Sequence, residues 1–142
     1  MIIKEKDVEI QVTQPNKVAE IFESIFKTYD EIERSKEHLY TIGLDNHNHI
    51  LFIDLTHIGT TESANVDRKV IMRILLLKGA SGLILVHNHP SEYGTPTPSY
   101  DDYEVTEAIK EACKLLDIGL LDHIILNTDA TSFYSFKHHS EI

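Results

Sequence analysis

His87-Asn88-His89-Pro90 follows the apolar run Leu83-Ile84-Leu85-Val86, so two imidazoles sit where a buried strand would end. Residues i and i+2 of a strand point to one side, so this spacing aims His87 and His89 at a common point and turns Asn88 away. Such a pair is a chelating arm. Pro90 cannot donate to a ladder, which fixes where the strand stops and a pocket begins. Zinc in hydrolytic sites takes three protein ligands and keeps a fourth position for water, so the arm needs a third donor. Ser99-Tyr100-Asp101-Asp102 offers one at the start of a helical pattern, where the side chains of Ser99 and Asp102 gather. The same S-x-x-D spacing is that of a capping box, and alone it reads as a helix start. The two motifs become informative together, because a strand end and a helix start can face each other across one short loop.

The remaining candidates for chemistry read differently. His47-Asn48-His49 repeats the His-x-His spacing in a polar turn, with neither an apolar strand behind it nor a carboxylate-bearing helix start close by, and is read as an exposed turn. His38, His57, His138 and His139 are read as surface or packing residues, and Asp122-His123, inside an apolar strand, as a buried hydrogen-bonded pair. The single cysteine, Cys113, lies among Ala112, Leu115 and Leu116 and is read as core, because nothing beside it supplies the base that a thiolate nucleophile needs.

Composition narrows the function classes. With 142 residues and 42% hydrophobic content, the chain is sized for one domain, 1–142. A net charge of −10, from 13 Lys+Arg against 23 Asp+Glu, opposes direct binding to nucleic acid. Arg68, Lys69, Arg73 and Lys78 fall along one helical pattern and read as a solvated face. The first ten residues, MIIKEKDVEI, lack the apolar core of a signal peptide, and no run approaches the length of a membrane span, so a cytoplasmic protein with no membrane contact is expected.

Periodicity supplies the elements that must hold the arm. A strand is expected over 8–12, then a helix from Lys17 with Asn16 as its cap and Val18, Ile21, Phe22, Ile25, Phe26 and Tyr29 inward; 30–36 reads as helix end and turn. Strands over 38–44 and 50–55 flank the Asn/Asp-rich turn 45–49 and should pair antiparallel. A second helix over 66–77 buries Val70, Ile71, Ile74, Leu75 and Leu77 and stops at Gly79. The strand 83–87 follows, then a helix over 100–116 with Val105, Ala108, Ile109, Ala112, Leu115 and Leu116 inward, and strands over 121–126 and 132–136. The order β α β β α β α β β implies a mixed sheet with helices packed on its faces.

His87-Asn88-His89-Pro90-Ser91, then Thr95-Pro96-Thr97-Pro98-Ser99 with Asp102, then Leu120-Leu121-Asp122-His123 resemble, in order, the motifs of the RadC family, bacterial members of the JAB1/MPN (JAMM) metalloprotease-like superfamily. The resemblance runs over about residues 36–136. It implies an α/β (α+β) sandwich, a mixed β-sheet flanked by helices, related to the cytidine-deaminase fold. It implies one Zn2+ held by His87, His89 and Asp102, with Glu37, just before His38-Leu39-Tyr40, as general base; Lys36 stands where the family has arginine. Ser99 Oγ would donate to the oxyanion of a tetrahedral intermediate, a contact worth about 3 kcal/mol. Read without the resemblance, Glu37 is one charge in a polar run with Glu31 and Glu33, and Glu62, Glu92 and Glu104 compete with it as base.

Three departures accompany the resemblance. The loop 90–99 is about two residues longer than the family's, through Glu92-Tyr93-Gly94, which bears on pocket shape. Thr61-Glu62 and Val66-Asp67-Arg68-Lys69 replace Leu-Asn and His-Pro-Arg-Glu. The family's N-terminal helix-hairpin-helix region is not expected within these 142 residues. The function expected is a zinc-dependent metallohydrolase that cleaves an amide bond, peptide or isopeptide, of a peptide or protein substrate. The alternatives are a non-catalytic scaffold of the same fold, or a DNA-repair-associated accessory protein, with a bound zinc. Zinc deaminases need a Pro-Cys-x-x-Cys set that one cysteine excludes.

Overall fold

Alternation along β2, His38–Leu44, decides which helix covers which face of the sheet. Tyr40, Ile42 and Leu44 are buried under α1, Pro15–Phe26, through Val18, Phe22 and Phe26. Leu39 faces the other way. It joins Ile71 and Leu75 of α3, Arg68–Leu77, and Val105, Ile109 and Cys113 of α4, Tyr100–Leu115. The result is three layers, one helix on one face of the sheet and two on the other. This computed structural model describes residues 2–5, 10–59 and 65–142.

Among the described residues, six strands form the sheet: β1 Ile2–Glu5, β2, β3 Ile50–Ile58, β4 Gly82–Asn88, β5 Gly119–Leu126 and β6 Phe133–Ser135. Their order is β1-β3-β2-β4-β5-β6. All neighbours are antiparallel except β4 and β5, which α4 joins as a crossover. A parallel pair needs such a connection, and it brings two strand ends to the same edge of the sheet as the start of α4. The mixed sheet flanked by helices is therefore as expected, and so is the β2–β3 hairpin.

Several local expectations are corrected. Of the strand expected over 8–12, residues 8 and 9 lie outside the described residues; in the described part, Gln11 makes an isolated bridge with His49, flanked by bonds from Val12 N to Asn48 O and from Ile50 N to Ile10 O. β3 begins at Ile50, so little ladder is available there, and the edge beside β3 is taken by Ile2–Glu5 instead. Residues 6–9, like Glu62, lie outside the described residues. Asn16 is not the cap of α1. Gln14 is, without a side-chain bond, because Pro15 occupies the first turn where its fixed φ and missing N–H cost nothing. The polar stretch 30–36 contains a single helical turn, α2, Glu31–Arg34, capped by Asp30, which accepts from Glu33 N.

Leu77, Leu115 and Leu116 are exposed rather than inward. At the end of α4, Asp117 adopts φ 53°, and the chain turns back so that Ile118 N donates to Cys113 O and the Ile118 side chain is buried. Ile118 thus takes the core position that helical periodicity assigned to Leu115 and Leu116. The basic residues of α3, Arg68, Lys69 and Arg73, are exposed as expected.

Gly43 has a steric cause. A Cβ there would lie 2.1 Å from Cε1 of Phe52, its partner across β3, so the ring occupies the space of the missing side chain. Gly43→Ala is expected to lower the unfolding free energy by about 1–3 kcal/mol, the cost of overpacking a filled core. Urea denaturation of the two proteins checks this, and equal midpoints would contradict it.

Candidate metal centre

The site lies where β4 ends. Asn88 points away from the two histidines, as the strand alternation requires, and makes a clamp: its Oδ1 accepts from His38 N at 2.7 Å and its Nδ2 donates to Lys36 O at 2.9 Å. These bonds grip the chain on both sides of Glu37. Gly59 N, on β3's end, also donates to Glu37 O at 2.9 Å. One amide therefore fixes the backbone of Glu37 against the end of the strand that carries His87.

His87 and Asp102 are buried, and His89 is 12% exposed in its side chain. His87 Nε2 lies 3.1 Å from Asp102 Oδ1, and His89 Nε2 lies 3.1 Å from Asp102 Oδ2 and 3.1 Å from His87 Nε2. Donors on a tetrahedral zinc at about 2.0–2.1 Å stand roughly 3.3 Å apart, close to these separations. The chemistry of the donors fits as well. His89 Nδ1 donates to Glu92 Oε1 at 2.8 Å, so the lone pair of its neutral ring is on Nε2, facing the other donors. The residues present therefore fit a zinc ion.

Ser99 caps α4 and Asp102 completes the capping box. Asp102 N donates to Ser99 Oγ at 3.2 Å, and Ser99 N donates to Asp102 Oδ2 at 2.8 Å. The helix-start reading of S-x-x-D is thus borne out, and it is geometrically compatible with the same carboxylate serving as a metal ligand. The cap uses an oxygen lone pair of Ser99 and not its O–H.

Burial disfavours the charge on Asp102, but its bonds to His87 and His89 and from Ser99 N outweigh that and hold the carboxyl well below the usual range. For His89, burial favours the neutral ring, while Asp102 and Glu92 more than offset it and raise the pKa. The linkage has a defined sign. In the metal-free protein, the Asp102 contribution is present above its unfolded pKa, about 4, and is lost as pH falls through the depressed folded value. The His89 contribution is fully present below about pH 6.5 and is lost as pH rises through its raised folded value. Zinc requires bare Nε2 atoms, so its stabilisation grows over that same rise. Thermal melts across pH are expected to show metal-free stability falling, and the increment from added zinc rising, from about pH 6.5 upward. An increment independent of pH would contradict the assignment.

A cleft of about 530 Å³ opens beside the donors, lined by Lys36, Glu37, Ile58, His89, Glu92 and Ser99. A larger groove, about 700 Å³, runs along α4 past Arg68, Glu104, Glu107 and Glu111 and contains none of the three donors. Volume and chemistry are therefore separated in this molecule. The structure places Glu37 and Ser99 in the cleft with His89, as the sequence suggested. Glu104 lies in the other groove, and Glu92 is engaged by the outer nitrogen of His89 and by Thr97 N. Cys113 is buried, and burial pushes its thiol up to about 11, so it is not a thiolate at neutral pH. His47 is exposed and His49 pairs with Asp45 in the hairpin turn.

Two neighbours of the site were not expected from sequence. His123 Nε2 lies 2.8 Å from His87 Nδ1, and His123 Nδ1 lies 2.6 Å from Thr106 Oγ1. Asp122 does pair with His123, but through the backbone: Asp122 Oδ1 accepts from His123 N at 2.7 Å. The signal was an imidazole in the strand after the crossover helix, where a parallel neighbour of β4 must lie.

The loop 90–99 is tied down. His89 N donates to Leu126 O, Thr128 N and Oγ1 donate to Glu92 O, and Asn127 Nδ2 donates to Tyr93 O at 3.0 Å. Among the described residues, no helix is long and apolar enough to cross a membrane.

Residues 12–141 match the family described as RadC-like JAB domain. Among similar proteins, a UPF0758 protein of Chlorobaculum parvum is 39% identical over 108 residues, 76% of this chain and 47% of the relative. A UPF0758 protein of Streptococcus gordonii is 37% identical over 117 residues, 82% of this chain and 50% of its own length. One of Methanosarcina acetivorans is 42% identical over 94 residues, covering 66% and 40%. The chain spans about half the length of the first two relatives. On the match over residues 12–141 and these identities, the chain belongs to the RadC family, with a JAB/MPN-like domain.

Proposed function

We propose that this domain is a zinc-dependent hydrolase that cleaves an amide bond, peptide or isopeptide, of a peptide or protein. The observation that carries the reading is a set of two imidazoles and one carboxylate, of which His89 lines a cleft that also holds a glutamate and a serine. When bound, zinc would supply a Lewis acid that acidifies water and polarises a carbonyl. His87, His89 and Asp102 would hold it. Glu37, fixed through the Asn88 clamp, would take a proton from the attacking water and return it to the leaving amine. Ser99 O–H would donate to the developing oxyanion, at the N-terminus of α4 where the helix dipole adds positive potential.

A peptide or protein substrate is preferred over nucleic acid because the chain carries a net charge of −10, which repels phosphates. The test uses the zinc-loaded protein against a fluorogenic peptide library and a lysine-linked isopeptide. Hydrolysis abolished by a chelator and restored by zinc supports the reading. Stoichiometric zinc with no turnover of either substrate favours a scaffold of the same fold.

A further inference from the structure

Asp102, Thr106, His123 and His87 form a closed circuit across α4, β5 and β4. Thr106 O–H donates to Asp102 O at 2.7 Å, so the hydroxyl hydrogen is committed within the helix. Thr106 Oγ1 can then only accept at its other contact, 2.6 Å from His123 Nδ1, which places a proton on that nitrogen. His123 is 1% exposed and stacked on Phe136 at 4.8 Å, and its ring nitrogens face a hydroxyl and another imidazole, with no carboxylate on either. A second proton would leave a buried cation unpaired, which is costly, so His123 Nε2 carries a lone pair. At 2.8 Å, the hydrogen between the two rings then comes from His87 Nδ1, which leaves His87 Nε2 bare for a metal. Without a metal the Asp102 carboxylate, 3.1 Å from His87 Nε2, favours a proton on that nitrogen, so this arrangement is the one that accompanies metal binding.

We infer that Thr106 and His123 are positioning residues that hold His87 in the one neutral tautomer able to bind a metal through Nε2. This rests on the proposed role of His87 as a ligand. His89 receives the same treatment from a different group, the Glu92 carboxylate on its Nδ1. The two ligand histidines are thus oriented by unlike means, one by a neutral chain rooted in the helix and one by an anion from the loop. Turning the Thr106 link off changes the first without touching the second. Without a hydroxyl acceptor, His123 has no reason to keep its proton on Nδ1. With the proton on Nε2 instead, it would donate to His87 Nδ1 and force the His87 proton onto the metal-facing nitrogen.

The experiment has two arms. In the zinc-loaded wild-type protein at about pH 8, where unperturbed imidazoles are neutral, nitrogen-15 spectra of the imidazoles are expected to show protons on Nδ1 of both His87 and His123. In the second arm, zinc affinity is measured by competition with a chromophoric chelator. Thr106→Val, which matches the shape and removes the hydroxyl, is expected to weaken zinc by about 10–100-fold, the usual effect of losing an outer partner. Thr106→Ser keeps the oxygen and should restore most of that affinity. A zinc-loaded wild-type protein whose His123 carries its proton on Nε2, or a Thr106→Val protein that binds zinc as wild type does, overturns the inference. A wild-type protein that takes up no zinc would defeat the metal reading, whereas zinc uptake with the His123 proton on Nε2 overturns this inference alone.

Discussion

Asp102→Asn is expected to yield a folded protein that no longer retains zinc. The substitution preserves shape, and an amide oxygen can still accept from Ser99 N, so the cap at the start of α4 survives. What disappears is the charge of a carboxylate whose Oδ1 lies 3.1 Å from His87 Nε2 and whose Oδ2 lies 3.1 Å from His89 Nε2. With the amide oxygen kept at the cap, the amide nitrogen would take the place of Oδ1 and offer its N–H to His87 Nε2, occupying a lone pair a metal needs. One ligand of a tight site contributes on the order of 3 kcal/mol, a share of the roughly 10–16 kcal/mol of a four-ligand structural zinc. The affinity should therefore fall about a hundredfold or more. Metal content after dialysis and chelator competition read this directly, with circular dichroism checking the fold. If the variant keeps one zinc per chain, Asp102 is a helix cap and the third ligand lies elsewhere.

Glu37→Gln should have the opposite profile, with zinc retained and turnover lost. Glu37 is not among the converging donors; it stands in the cleft on a backbone held at Lys36 O, at His38 N and at its own carbonyl. Glutamine keeps the size and removes the basic oxygen. General-base catalysis is worth about 10²–10⁴-fold, so kcat should fall by that factor with metal content unchanged. A variant that loses zinc would place Glu37 in the metal's coordination instead. Unchanged hydrolysis by the zinc-loaded variant would remove Glu37 from the mechanism and return Glu92 to consideration.

How far the sequence alone could reach depends on the range of the interaction involved. His87, His89 and Asp102 were readable because strand alternation and a helix start are local, and the loop between them is short. The same holds for β2, β4 and most of α4. His123 was not readable as a neighbour of His87, since that contact depends on β5 lying beside β4 in parallel, with His123 opposite Leu85. Strand order is a property of the whole sheet. Ile118 replacing Leu115 and Leu116 in the core depends on a turn at Asp117, which helical periodicity cannot anticipate. Glu92 was weighed as a base because its loop position could reach the site; only its bond to His89 Nδ1 reveals which side of the ring it reaches. Pro15 hid the true start of α1 for a simpler reason, in that Asn16 is a good cap residue two places too late.

The double duty of Asp102 has an evolutionary consequence. It closes the capping box of α4 and also stands between the imidazoles, so selection for a stable helix and, under the proposed function, selection for metal uptake act on one side chain. A descendant without the proposed catalysis would still be under pressure to keep an aspartate here. His87 and His89 serve no such cap, and their replacement would come sooner. In a lineage built on this architecture, the histidine pair is thus the better witness to chemistry, and the aspartate alone testifies mainly to folding.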